Sequence, residues 1–65
     1  MPQLFTFHSY NAEGAPVAMQ ARAFASEAAA ADHAGEVLAE HLSAAYVVVC
    51  EGDREILTLH REPVG

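Results

Sequence analysis

The sequence predicts an α+β fold, a two-layer domain with one amphipathic helix packed on an antiparallel sheet of three or four strands in the order β-β-α-β-β. Apolar residues alternate near the start, recur at helical spacing in the middle, and alternate again on both sides of a Gly-Asp pair near the end. A period of two marks strands and a period of about 3.6 marks a helix. One helix layer on one sheet layer closes a single core, so residues 1–65 are expected to form one small domain.

Each element follows from its residues. From Leu4 to Tyr10, Phe5, Phe7 and Ser9 fall on one side and Leu4, Thr6, His8 and Tyr10 on the other, with the aromatic content of a strand. NAEGAP, Asn11 to Pro16, gathers turn residues and reads as a loop. Val17 to Phe24 alternates weakly and reads either as a second strand or as an irregular arm. Ser26 and Glu27 form an N-cap with an acid in the first turn, where it meets the positive end of the helix dipole. Ala30, Ala31, Ala34, Val37, Leu38, His41, Leu42 and Ala45 then make one apolar stripe, with Asp32, His33, Glu36, Glu40 and Ser43 opposite. Gly35 lies mid-helix, where it costs about 1 kcal/mol against alanine or marks a close contact.

YVVVCE and REILTLH flank Gly52-Asp53, a two-residue turn that opens on glycine. An unbroken register pairs Glu51 with Arg54, Val49 with Ile56, Val48 with Leu57, Val47 with Thr58 and Tyr46 with Leu59. Opposed residues share a face. Tyr46, Val48, Leu57 and Leu59 are therefore expected under the helix with Phe5, Phe7, Val37, Leu38 and Leu42, while Val47, Val49, Ile56 and Thr58 face away. One helix covers only one face, and an exposed apolar patch marks an interface. The expected arrangement is a homodimer whose two sheets stack through Val47, Val49, Ile56 and Thr58, or closure of that face by Val17 to Phe24 of the same chain. Chain length points to the dimer as well, because a single core in about 70 residues rarely supplies more than about 3–5 kcal/mol, and two-fold dimers are the commonest closed assembly.

Charge narrows the function classes. The net charge is −6, and with three Lys and Arg in total, Arg22, Arg54 and Arg61, there is no lysine. Nucleic-acid binding and attachment to anionic membranes both draw on clustered cations, so neither is expected. Lysine-based Schiff-base chemistry is excluded. No stretch approaches the ~18 apolar residues of a membrane span and no secretory signal is visible; a cytoplasmic location is expected. Cys50 cannot form an internal disulfide, and its hairpin partner Glu55 opposes thiolate formation, so it reads as a structural thiol.

A few side chains offer chemistry. His33, Glu36 and Glu40 project from one helix face at spacings a divalent ion uses, although a solvated polar face has the same pattern and no fourth ligand is identifiable. His41, inside the apolar stripe, reads as a core-edge histidine. If the first and last strands are neighbours, Thr6 and His8 join Thr58 and His60 on one face, where His8 and His60 can hold a small ligand or make the interface pH-dependent; ordinary half-exposed strand residues are the alternative. Pro2 becomes a secondary amine if Met1 is removed.

PQLFTFH and EHLSAAYVVVCE resemble the 4-oxalocrotonate tautomerase family, whose short subunits use such a proline as general base; the resemblance implies Pro2 as the catalytic residue. That family runs from its first strand almost directly into its helix, whereas Asn11 to Ala25 intervene here, and its carboxylate-binding arginines have no evident match among Arg22, Arg54 and Arg61. Over nearly the whole chain, MPQLFTFH, the NAEG loop, SEAAAADHAGEVLAE and VVVCEGDREILTLHRE are similar to a family of short bacterial proteins catalogued only as a domain of unknown function, which implies a strand, a helix and a terminal hairpin around one sheet and brings no activity with it. The reading as a whole is a non-enzymatic homodimeric protein-interaction module without a cofactor. The alternatives are a Pro2-based tautomerase and a ligand or metal binder using His8 and His60.

Overall fold

The computed structural model describes residues 2–61; Met1, whose removal the Pro2 chemistry requires, and Glu62 at the end of the terminal hairpin lie outside them. Four strands and one helix follow in the order β1 (Gln3–Tyr10), β2 (Pro16–Phe24), α1 (Glu27–Glu40), β3 (Tyr46–Glu51) and β4 (Arg54–His60). The strands form one antiparallel sheet in the order β2-β1-β3-β4, and α1 lies on one side of it. This is the α+β architecture expected from the sequence.

Val17 to Phe24 is a strand. It pairs with β1 from Gln3 opposite Phe24 to Ser9 opposite Ala18, and a bulge at Val17 then places Tyr10 opposite Pro16. The loop before it is closed by Asn11, whose side-chain oxygen accepts from the backbone N–H groups of Glu13 and Ala15, both at 2.9 Å. Such a local bond lets a short polar side chain stand in for a backbone turn. Ser26 caps α1 as expected, its hydroxyl accepting from Ala29 N–H at 3.2 Å.

The core comprises Phe5, Phe7, Ala30, Ala34, Val37, Leu38, Ala44, Val47 and Val49, with Phe24, Ile56, Leu57 and Leu59 packed against it. The small Ala30 and Ala34 let the helix approach closely, and the space is filled from the sheet by the rings of Phe5 and Phe7. Phe24 closes the cluster edge-on to Phe7, with ring centroids 5.9 Å apart.

The expected hairpin register is corrected by one residue. Cys50 does pair with Glu55 and Glu51 with Arg54, but Val49 lies opposite Leu57, Val48 opposite Thr58, Val47 opposite Leu59 and Tyr46 opposite His60. Ile56 is the extra residue of a β-bulge, so every pair beyond it is shifted. Shifting the register by one residue exchanges the faces of a strand. Val47 and Val49 are therefore fully buried under the helix, Ile56 packs against the same core, and only Thr58 of the expected dimer contacts faces away. Tyr46 and Val48, expected inside, are on the outer face. Leu42 is also outside the core, because α1 ends at Glu40 and the chain turns at the cap residue His41, leaving Leu42 82% exposed. Gly35 marks no close contact, since a Cβ there meets nothing within 4 Å.

Candidate functional site

The antiparallel pairings define three rows across the outer face. Ala21, Thr6, Cys50 and Glu55 form one; Met19, His8, Val48 and Thr58 form the next; Tyr10, Tyr46 and His60 form the third. Leu4 opposite Ala23 completes the face toward the other end. The third row is an aromatic ladder. Tyr10 stacks on Tyr46 with centroids 5.2 Å apart and a 22° angle between planes, and Tyr46 lies 5.4 Å from the His60 ring. Side chains at opposed positions sit within about 5.5 Å of each other, so such pairs stabilise the sheet directly.

Among the described residues no helix or loop covers these rows. Leu4 is 61% exposed and Met19 67% exposed, while Val48, Tyr10 and Tyr46 are half-buried. Among the described residues the face carries one carboxylate, Glu55, at its rim beside the Gly52-Asp53 turn. Gly52 adopts φ of 63° and Asp53 has no positive φ, as a turn that opens on glycine requires.

His8 and His60 share this face, but their strands are not neighbours. β3 lies between β1 and β4, which separates the two histidines by about 10 Å across the sheet and one row along it. Val48 and Tyr46 occupy the space between, so the expected four-residue cluster of Thr6, His8, Thr58 and His60 does not converge on one point.

On the helix side, His33 does not sit on the solvated face. Its ring packs edge-on against Phe7 at 4.9 Å and tilted against Phe24 at 5.2 Å. One ring nitrogen meets Gln20 Oε1 at 3.1 Å and the other Glu36 Oε2 at 3.3 Å. Both nitrogens thus have protein partners, and Glu40 is not among them. Among the described residues no three His, Cys, Asp or Glu side chains converge as a metal-binding group. Pro2 is exposed ahead of β1, and no cavity opens in the described residues. Cys50 is half-buried on the outer face opposite Thr6, whose hydroxyl donates to the Cys50 carbonyl at 3.4 Å.

Arg61 has a structural role that its place after the last strand does not announce. Its Nε donates to Ala44 O at 2.9 Å, and Nη2 donates to His41 O at 2.9 Å and to Leu38 O. The guanidinium thereby gathers carbonyls at the C-terminal end of α1 and in the turn that follows, where helices leave acceptors unpaired. The available signal was that α1 has no basic residue in its last turn.

No helix of the described residues is long and apolar enough to cross a membrane. No family model, curated protein or solved structure matches the chain.

Proposed function

We propose that the chain is a non-enzymatic, homodimeric protein-interaction module that associates by stacking the outer faces of two sheets. The supporting observation is the uncovered face itself, on which Leu4, Met19, Val48, Tyr10 and Tyr46 stand with, among the described residues, a single carboxylate at the rim. A sheet with one apolar face under a helix and a second apolar face in water is half of a layered structure. Stacked sheets lie about 10 Å apart with interdigitating side chains. Four strands of 8, 9, 6 and 7 residues present roughly 25 Å by 19 Å, or about 480 Å² of projected area. Two such faces approach the ~1,000 Å² total at which specific association begins.

Val48, in the middle row, is the position to perturb. Val48→Asp places an unpaired charge in the centre of the contact, where its desolvation has no compensation. Sedimentation equilibrium over a concentration series should show the weight-average mass falling to half the wild-type value under the same conditions. Retention of the wild-type mass by a folded Val48→Asp variant, or a wild type that is a monomer throughout, would overturn the reading.

A further inference from the structure

The two edges of the sheet are not alike. β4 carries the bulge at Ile56 and the adjacent charges Arg54 and Glu55, which are devices that keep an edge from pairing. β2 has none of these from Ala18 to Phe24: its register with β1 is unbroken there, it contains no proline, and Arg22 is its single charge. Its outward backbone groups therefore form a regular template for another strand.

Charge and pattern indicate what that strand is. In a chain of net charge −6, no Asp or Glu falls between Pro16 and Phe24, so this edge is where two copies approach with least repulsion. β2 is also complementary to itself. Antiparallel pairing about a two-fold axis at Ala21 sets Gln20 opposite Arg22, Met19 opposite Ala23 and Ala18 opposite Phe24 of the second copy. Moving the axis to Arg22 opposes two like charges, which is destabilising, and moving it to Gln20 sets Phe24 opposite Pro16, which has no N–H to contribute. Self-complementarity about an axis is what a two-fold interface demands.

We infer that the free edge of β2 is a second self-association site, at which another copy of this chain adds antiparallel about Ala21 to make one continuous eight-stranded sheet across two chains. This contact goes beyond face stacking, because it uses the backbone edge of β2 rather than the side chains of the outer face.

Disulfide trapping separates the two contacts. Directly opposed residues of an antiparallel pair have Cα atoms about 4.5–5.5 Å apart, inside the range a disulfide spans, whereas stacked sheets about 10 Å apart are outside it. The full chain carrying Cys50→Ser and Val48→Asp, the latter removing the face contact, would receive Ala21→Cys or, as control, Gln20→Cys, which the register holds off the axis. Under mild oxidation the Ala21→Cys chain should become mostly disulfide-linked dimer, at least tenfold faster than the Gln20→Cys chain. Equal rates would overturn the proposal. A second measurement needs no disulfide: with Val48→Asp already removing the face contact, Ala21→Lys and Ala21→Glu variants at this exposed position should each associate more weakly than Val48→Asp alone, and mixing them should restore a heterodimer. Failure of the mixture to associate more tightly than either variant alone would also overturn it. Neither result bears on stacking, which is read from the mass change caused by Val48→Asp.

Discussion

Removing the Arg61 guanidinium should destabilise the fold more than any other surface-proximal change. In Arg61→Ala, the carbonyls of Leu38, His41 and Ala44 lose a charged donor. A hydrogen bond to a charged group contributes about 1.5–3 kcal/mol net, so three independent ones would contribute about 4.5–9 kcal/mol. They are not independent, because one side chain makes all three and water reaches a loop in which Leu42 is 82% exposed. Partial rehydration brings the expected loss down to about 2–4 kcal/mol, against about 3–5 kcal/mol for a core of this size. With a urea slope of about 1 kcal/mol/M for a small domain, the unfolding midpoint should fall by about 2 M or more. Arg61→Lys keeps a cation at the negative end of the helix, an effect of about 0.3–1 kcal/mol, but one ammonium cannot reproduce the planar fork. Its midpoint should fall between the other two. A midpoint for Arg61→Ala within about 0.5 M of wild type would refute the reasoning and assign the C-terminal turn to packing of Ala44 alone.

Two further changes should stabilise the chain. Ser9 is 1% exposed, and its hydroxyl has no hydrogen-bond partner among the described residues; a buried unpaired hydroxyl costs about 1–3 kcal/mol, so Ser9→Ala should raise Tm by about 4–8 °C for each 1 kcal/mol recovered, and a lowered Tm would show that the hydroxyl is satisfied. Gly35 is exposed in the interior of α1 with open space where a Cβ would stand, so Gly35→Ala should add about 1 kcal/mol, measured as a higher urea midpoint.

Where the sequence could be read and where it could not has a physical pattern. Phe5 and Phe7 alternate with polar neighbours, and Leu57 and Leu59 do the same, so their faces were legible and correct. Tyr46 to Cys50 is apolar throughout, and a period of two cannot be extracted from a uniform run. Its face then depended on counting back from the Gly52-Asp53 turn. That count failed at Ile56, because a bulge residue in an apolar strand looks like any other strand residue. The helical pattern sets His33 opposite the apolar stripe, yet its ring is an apolar body with two polar corners, and both corners find partners while the ring packs on Phe7 and Phe24. Leu42 continued the helical stripe in sequence, but periodicity does not report where a helix stops. A second apolar surface is legible in the uninterrupted run, but which residues line it depends on the bulge at Ile56. Val48, not Val49, is the residue to test for association; Asp at Val49 would enter the core and report on folding instead.

The distribution of acids bears on whether copies of a chain of net charge −6 can meet as proposed. Asp32, Glu36 and Glu40 are on the exposed side of α1, Glu27 at its start, Glu13 in the first loop, and Glu51, Asp53 and Glu55 around the β3–β4 turn. The helix layer lies about 10 Å from the sheet, farther than the Debye length of about 8 Å at physiological ionic strength. Charges on the two helices of a face-stacked pair, separated by both sheets, are therefore screened from each other. The acids nearest the contact are those of the turn, and there Arg54 sits 3.0 Å from Glu51 and 3.9 Å from Glu27. Exposed pairs of this kind add little stability, but they lower the local charge at the corner where acids among the described residues approach the outer face. Among the described residues, the outer face with its carboxylate confined to the rim and the edge of β2 with no acid between Pro16 and Phe24 are thus the two surfaces on which like charge opposes a second chain least.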